Sequence, residues 1–321
     1  MIKKDVFIFS DPGIDDALAV ALATSTNKIR ILGACGTVGN VSSELAASNL
    51  ASLFDLFGVH VPVFRGQSVL CPKLPFDPSL AHGMNGLGDV ILPKSASSIQ
   101  DSHQIIDTFE LSDKISILSF GPLGDVANLL EDYPRVKTRI DQILLMGGSM
   151  TAGNVTTTAE FNIYANPKAA NAVFNSGIPV KIVPLDVTQK VRLLEDDMMR
   201  IKQINSPISD ALYRMLKFYF AFHKEFEGFS GCYTHDPLAV AALLWPEQFT
   251  FSRVPVFVDT RIGRTYGMTI FDTRCRSVNS NSVVEVATDV DVDRIKELML
   301  SKVEKGILRS GHELSSNLSY T

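Results

Sequence analysis

Residues 5–17 constrain the fold of this chain more than any other stretch. An apolar run at 6–9 predicts a buried strand, and the Pro-Gly pair at 12–13 predicts a tight turn directly after it. The alanine-rich segment that follows is typical of a helix. We therefore expect the chain to begin with a strand, a turn and a helix in immediate succession.

Three carboxylates lie at this junction, those of Asp11, Asp15 and Asp16. A single one would be explained as a helix cap or as a partner of the helix dipole. Three carboxylates with like charge repel one another at close range, and this repulsion raises their pKa values and costs stability. A bound cation removes that cost, and carboxylate oxygens are the ligands that a hard cation such as Ca²⁺ takes. The spacing alone leaves both a metal site and a plain capped turn open.

Apolar strand candidates alternate with helix candidates along most of the chain. Strands are predicted at 31–38, 61–64, 115–120, 143–146 and 180–185, and helices at 42–57, 100–111, 122–130, 167–175, 194–204, 208–226, 236–244 and 292–305. This order predicts βαβ units with right-handed crossovers. We expect an α/β fold with an open, mostly parallel, doubly wound (Rossmann-like) sheet flanked by helices, in a single domain over 1–321 with a polar, loose tail at about 310–321.

Polar residues or glycines end one predicted strand after another, at Asp11, Asn40, Gly121, Gly147 and Asp186. In open parallel sheets, ligands bind beyond the carboxyl ends of the strands. We therefore expect these positions to gather at one edge of the sheet. His235 and Asp236, at the start of a predicted helix, are expected to join them.

The net charge, the cysteine spacing and the lengths of the apolar runs argue against several classes of protein. A net charge of −5 argues against a non-specific nucleic-acid binder. The cysteines are far apart and form no CxxC pair, which predicts free thiols at Cys35, Cys71, Cys232 and Cys275. Because no apolar run is long enough for a signal peptide or a transmembrane helix, we expect a cytosolic protein without a membrane partner.

The segment Ser10-Asp11-Pro12-Gly13-Ile14-Asp15-Asp16-Ala17 resembles the N-terminal signature of the calcium-dependent nucleoside hydrolases, the inosine–uridine-preferring type. Seven further segments are similar to landmarks of that family, in the family's order: Thr37-Val38-Gly39-Asn40, His82-Gly83, Gly121-Pro122-Leu123, Leu145-Met146-Gly147-Gly148, Gly153-Asn154, Ala159-Glu160-Phe161-Asn162 and His235-Asp236-Pro237. The resemblance covers most of the chain, so it is far more specific than one short motif.

The resemblance implies a glycosidase that splits the N-glycosidic bond of a ribonucleoside with water. The metal shell that it carries over consists of Asp11, Asp16, Asp236 and the backbone carbonyl of Phe120, with water and ribose hydroxyls completing the coordination of Ca²⁺. Asp15 is the expected general base, which takes a proton from a calcium-bound water as that water attacks the anomeric carbon.

The resemblance also implies which residues contact the nucleoside. His235 is the expected acid for the departing base. Ribose recognition is expected from Asn40, Asn154, Glu160 and Asn162, with His82 at the border of the pocket. Six aromatic residues are candidates for stacking on the nucleobase or lining a lid: Tyr213, Phe218, Tyr219, Phe222, Phe226 and Phe229. The expected assembly is a homodimer or homotetramer.

Most of these positions also have a purely structural explanation. Asp16 is suited to the helix dipole, and Asp236 to an N-cap before a proline at N1. The two histidines could be packed side chains, and Glu160 and Asn162 could serve a turn before a proline. The aromatic residues suit the buried face of a helix.

Three positions depart from the family pattern. Phe9 and Asn166 stand where aspartates are usual, and Met84 stands where a polar residue is common. These departures point to an outlying member and leave the choice between purine and pyrimidine nucleosides open. Two other functions compete: a non-catalytic nucleoside-binding protein, which the retention of Asp15 argues against, and metal-dependent phosphoryl transfer, for which the sequence has no Walker-type loop.

Overall fold

The secondary structure follows the predicted alternation. The computed structural model describes residues 3–70, 74–274 and 282–318, with side chains as far as 310 in the last helix. The strands of this part are β1 (Lys4–Ser10), β2 (Ile29–Gly36), β3 (Val63–Arg65), β4 (Ile99–Asp101), β5 (Ile115–Ser119), β6 (Ile140–Met146), β7 (Val180–Val183), β8 (Arg192–Leu193), β9 (Cys232–Tyr233), β10 (Phe249–Val258), β11 (Thr269–Phe271) and β12 (Val283–Val290).

The helices of the same part are α1 (Ile14–Thr24), α2 (Ser43–Leu56), α3 (Ser79–His82), α4 (Ile105–Phe109), α5 (Gly124–Asp132), α6 (Phe161–Ala165), α7 (Pro167–Phe174), α8 (Leu185–Thr188), α9 (Glu195–Lys202), α10 (Pro207–Phe222), α11 (His235–Leu244) and α12 (Val292–Leu318). A π-helical turn, His223–Glu227, continues α10. Short 3₁₀ turns occupy Ser102–Gln104, Pro134–Arg139 and Pro246–Gln248.

One ten-stranded sheet organises the described residues, in the order β11-β10-β12-β7-β6-β5-β1-β2-β3-β4. All neighbours from β12 to β4 are parallel, while β10 pairs antiparallel with both β12 and β11. From β1 the chain adds strands in one direction, and from β5 in the other. The strand order therefore reverses between β1 and β5, where a sheet of this kind binds its ligand. The predicted single-domain α/β fold with an open, mostly parallel sheet is confirmed.

Both faces of the sheet are buried, which explains the continuous apolar runs in the sequence. In β1, Val6 and Ile8 point to the core shared with α1, α10, α11 and α12. Phe7 and Phe9 point to the opposite core, which α4, α5 and α7 cover. Phe9 thus packs against Phe7, with ring centroids 5.1 Å apart.

Some elements differ from the prediction. The helix expected at 100–111 is instead strand β4, a 3₁₀ turn and the short α4, because Ile99 pairs with Val63 at the sheet edge. Helix α12 runs to Leu318, past the predicted end at 305; Ile307 is buried, and the hydroxyl of Ser310 donates to the carbonyl of Phe57. That the tail at 310–321 is loose stays a prediction.

The predictions of free cysteine thiols and of no transmembrane helix can be compared with the described residues only. Cys35 and Cys232 are free and buried, whereas Cys71 and Cys275 lie outside the described residues. Within the described residues, every helix is too short or too polar to traverse a lipid bilayer.

Candidate functional site

The strand ends beside the β1/β5 reversal bring the predicted polar residues together around a cavity of about 340 Å³. The predicted site residues that line this cavity are Asp15, Asn40, His82, Phe120, Asn154, Glu160, Asn162, His235 and Asp236. Asp11 and Asp16 are buried behind the lining. The residues predicted for catalysis, metal binding and ribose binding are therefore in one place, although they come from segments far apart in the sequence.

Four aspartates are buried at the floor of the cavity. Carboxylate oxygens of Asp15, Asp16 and Asp236 lie within 4.8 Å of one another. One oxygen of Asp11, Oδ2, accepts a hydrogen bond from the backbone N–H of Asn40 at 2.8 Å. The other oxygen of Asp11 and Oδ1 of Asp15 are buried without a hydrogen-bond partner in the described part of the chain. Unpaired buried oxygens of this kind are costly unless something binds them.

Burial raises the pKa of each of these carboxyl groups, that of Asp16 included, and repulsion by neighbouring aspartates adds to the shift in the other three. Burial, followed by the charge of Asp16, raises the pKa of Asp15 to about 8. Burial raises the pKa of Asp11 and of Asp236 well above the usual value, and neighbouring aspartates add to both shifts. The protein alone therefore favours protonated carboxyl groups here. A hard cation would favour the ionised groups and take up the unpaired oxygens, so these residues fit such an ion.

The backbone closes tightly around Asp11. A Cβ atom at Gly39 or at Gly121 would collide with the Asp11 carboxylate. Both glycines belong to segments that the sequence analysis singled out, and their lack of a side chain lets the ends of β2 and β5 approach this carboxylate.

The structural explanations account for Asp16 but not for Asp236. Asp16 accepts from the hydroxyl of Ser10 and, at 2.8 Å, from the backbone N–H of Gly13, which satisfies a free donor at the start of α1. Asp236 lies within the first turn of α11, after the N-cap Thr234, so it does not cap the helix. Helix capping therefore does not explain why an aspartate stands at position 236.

Asn162 positions the carbonyl predicted as a metal ligand. Its side-chain nitrogen donates to the carbonyl of Phe120 at 2.6 Å and to that of Met146 at 3.1 Å. The amide thus joins the ends of β5 and β6 and fixes the direction of the Phe120 carbonyl, which keeps a second lone pair.

Glu160 has a structural role as well as a place in the cavity lining. Its carboxylate accepts from the backbone N–H groups of Gly148, Asn162 and Ile163 at 2.9 to 3.2 Å, which caps α6. Burial raises its pKa to about 7 against the opposing effect of these bonds. Asn154 is held similarly, since its Oδ1 accepts from the backbone of Phe161 at 3.0 Å.

The two predicted histidines are neutral at physiological pH. Nδ1 of His82 accepts from the backbone N–H of Ile14 at 3.2 Å and lies 4.0 Å from Oδ1 of Asp15. Nδ1 of His235 lies 2.7 Å from the hydroxyl oxygen of Thr188. Burial lowers the pKa of both rings to about 3.

Only part of the cavity wall was predicted from the sequence. Of the six aromatic candidates, Tyr219, Phe222 and Phe226 line the cavity and the other three do not. His223 and Glu227 also line it and were missed, as were Phe76 and, in α3, Leu80. The spacing of Tyr219, Phe222, His223, Phe226 and Glu227 is that of one helix face, which is the signal that would have selected them.

The departures from the family pattern have local roles. Asn166 caps α7, with its Oδ1 accepting from the backbone N–H of Ala169 at 3.1 Å. Met84 is exposed next to α3. Neither these residues nor Phe9 lines the cavity.

Comparison with known proteins agrees with the geometry. The family described as "Inosine-uridine preferring nucleoside hydrolase" matches residues 6–297. The chain is 34% identical over 278 residues to "Pyrimidine-specific ribonucleoside hydrolase RihA" of Photobacterium profundum, covering 84% of this chain and 89% of the relative. It is 33% identical over 315 residues to "Uridine nucleosidase 1" of Arabidopsis thaliana, covering 94% of each.

Solved structures are similar over nearly the whole chain. A purine-preferring ribonucleoside hydrolase from Gardnerella vaginalis superposes with a TM-score of 0.87 at 32% identity, covering 95% of this chain and 99% of the other. A plant nucleoside hydrolase does so with a TM-score of 0.86 at 27% identity, covering 94% and 99%.

Proposed function

Because the chain belongs to the inosine-uridine preferring nucleoside hydrolase family and is an N-glycosidase, we propose that it hydrolyses ribonucleosides with Asp15 as general base and Ca²⁺ as cofactor. The observation that carries this proposal is the group of buried aspartates with unpaired oxygens at the floor of the cavity. A substrate in the cavity would lie directly against them.

Asp11, Asp16, Asp236 and the Phe120 carbonyl would hold the cation. Ca²⁺ prefers hard oxygen ligands, and these residues offer carboxylates and a carbonyl fixed by Asn162. When bound, the cation neutralises the carboxylates and polarises the water and sugar hydroxyls that complete its shell. The unpaired Oδ1 of Asp11 supports its inclusion, although only Asp16 and Asp236 share the 4.8 Å group with Asp15.

Asp15 is the carboxylate best placed to act on a substrate. It lines the cavity, whereas Asp11 and Asp16 do not, and its Oδ1 has no other partner in the described residues. A water molecule attacks C1′ of the ribose, its proton passes to Asp15, and the electron pair of the breaking C–N bond moves to the nucleobase.

His235 would donate the proton that the departing base needs. In the free protein its ring is neutral, because burial lowers its pKa to about 3. Negative charge developing on the departing base opposes this shift, so the ring takes up a proton from solvent when substrate is bound, passes it to the base and returns to its neutral form. Asn40, Asn154, Glu160 and Asn162, with His82, would hold the sugar hydroxyls from the surrounding wall.

The direct test is to incubate the purified protein with a panel of nucleosides and to measure free ribose. Release of ribose from uridine or inosine is expected. Binding without ribose release would indicate a nucleoside-binding protein, and phosphate transfer without it would indicate the rival enzyme class.

The proposed contacts to ribose predict strong selection for its hydroxyls. A site that hydrogen-bonds a hydroxyl rejects the analogue without it by as much as about 10⁴-fold, because buried polar groups lose their partners. We expect kcat/KM for 2′-deoxyuridine and for uridine 5′-phosphate to be far below that for uridine, the latter because of the Glu160 charge. Equal values for all three would show that the ribose contacts are misassigned.

The assembly is proposed to be a homodimer or homotetramer, as the family resemblance implies. Analytical ultracentrifugation of the purified chain would measure it, and a monomer would contradict the proposal.

A further inference from the structure

One buried histidine of the cavity has no task in the proposed mechanism. His223 is 1% exposed and lines the cavity from the π-helical turn that continues α10. Its ring packs among those of Tyr219, Tyr233 and Phe229, with centroids 4.3, 5.0 and 5.3 Å away. This packing holds the ring in one orientation.

A hydrogen bond to the backbone determines which ring nitrogen of His223 carries the proton. Nδ1 lies 2.8 Å from the carbonyl oxygen of Tyr219. Since a carbonyl can only accept, Nδ1 carries the hydrogen. Burial lowers the pKa of the ring to about 4, so at neutral pH the other nitrogen, Nε2, is unprotonated and is an acceptor. Among the described residues, Nε2 has no hydrogen-bond partner.

His82 is fixed in the opposite tautomer. Its Nδ1 accepts from the backbone N–H of Ile14, so its Nε2 carries the hydrogen and is a donor. The cavity wall therefore presents two imidazole groups of different chemistry. Glu227 lies one turn beyond His223 and also lines the cavity. Its carboxylate is a second hydrogen-bond acceptor in addition to Nε2 of His223.

The position of His223 assigns it to the nucleobase. The aspartates occupy the floor of the cavity, where the sugar hydroxyls are needed. The cavity lining also carries the aromatic side chains Phe76, Phe222 and Phe226, which suit a planar ring. His223 follows Phe222 directly in the chain and lies on the same helix face as Phe226.

We propose that His223 is a specificity-determining residue whose Nε2 accepts a hydrogen bond from a ring N–H of the nucleobase. Uracil, hypoxanthine and guanine carry such an N–H between or beside carbonyl groups. A base of the same shape without it leaves the Nε2 lone pair buried and unpartnered, which is unfavourable. This inference rests on the proposed function and names the bases that the site prefers.

The test compares two pairs of nucleosides that differ in this N–H and in the carbonyl group beside it: inosine with purine riboside, and uridine with 2-pyrimidinone riboside. The wild type is expected to prefer the first member of each pair by at least about tenfold in kcat/KM. The leaving groups also differ within a pair, so the readout is the change of this ratio between proteins. His223→Phe, which keeps a ring but removes the acceptor, should lower the ratio at least about tenfold.

Two further variants make the result specific. His223→Gln keeps a carbonyl acceptor and should retain part of the preference. His60→Phe makes the same change at a histidine whose side chain is 78% exposed, and it should leave the ratio as in the wild type.

An unchanged ratio in His223→Phe, in a protein that still melts cooperatively and releases ribose from a ribosyl nitrophenolate, would overturn the assignment. So would a wild type with no preference within either pair. Failure of the wild type to release ribose from any substrate would instead refute the proposed function itself.

Discussion

Among the single residues, Asp15 has the least structural use. It caps nothing, one of its oxygens is unpaired within the described residues, and burial raises its pKa to about 8. Asp15→Asn is expected to keep the fold and the bound calcium and to lower kcat by about 10² to 10⁴, which is the usual contribution of a positioned base. Steady-state kinetics and elemental analysis measure the two effects. Asp16→Asn is the control, since removing a proposed ligand should lower the calcium content as well. Near-normal turnover of Asp15→Asn would refute its role.

His235 is expected to matter only when the leaving group needs a proton. His235→Ala should slow uridine and inosine far more than a ribosyl nitrophenolate, because nitrophenolate departs as a stable anion. The measurement is kcat/KM on each substrate for variant and wild type. Equal losses on both kinds of substrate would show that His235 is not the acid.

The sequence predicted some of these residues and missed others for a physical reason. The aspartates crowd a strand end, and their mutual repulsion is visible in the spacing of Asp11, Asp15 and Asp16. His223 stands in a helix rich in aromatic residues, where a histidine by itself indicates nothing. Its accepting Nε2 follows only from the bond between Nδ1 and the Tyr219 carbonyl, which exists once the π-helical turn has formed.

At the scale of elements, burial on both faces made the long strands predictable. β1, β5 and β6 are apolar over most of their length, and their alternation with helices along the chain predicted a mostly parallel sheet. Three short strands, β4, β8 and β9, were not predicted, because they exist through pairing with distant residues and not through their own composition.

Helix α6 gives a prediction about pH, because its cap Glu160 is buried. Its pKa in the folded protein, about 7, exceeds the usual value of 4.5. Folding therefore favours the protonated group, so this contribution to stability is present below about pH 4.5 and is lost as the pH rises through about 7. Glu160→Gln does not titrate.

The difference in Tm between the wild type and Glu160→Gln should accordingly fall by several degrees between about pH 5 and about pH 8. Thermal melts with calcium in excess measure it, since a bound cation favours the ionised aspartates and so reduces their own titration over this range. Because Gln also changes the capping bonds, the trend with pH is the readout. Parallel profiles would mean that Glu160 has an ordinary pKa.

At the scale of the whole molecule, the site joins parts of the chain that are distant in sequence. Asp11 follows β1, Phe120 follows β5 and Asp236 lies in the first turn of α11, so a cation bound by all three would connect the centre of the sheet to a buried helix. The same carboxylates repel one another when no cation is present. Folding stability and metal content should therefore be coupled.

We expect a chelator to abolish activity and to lower Tm by several degrees, and added calcium to restore both. A ligand present at 100 to 1,000 times its Kd stabilises the folded state by about 3 to 4 kcal/mol. Asp11→Asn should reverse the order of stabilities: it removes a carboxyl group whose ionisation is unfavourable in the metal-free site, so it should melt above the wild type in chelator, and it removes a ligand, so it should melt below the wild type in calcium. Asp113→Asn, at an aspartate whose side chain is 97% exposed, should follow the wild type in both conditions. Full activity of protein shown by elemental analysis to be free of metal would rule out the metal site, and identical calcium-induced shifts in Asp11→Asn and the wild type would exclude Asp11 from it.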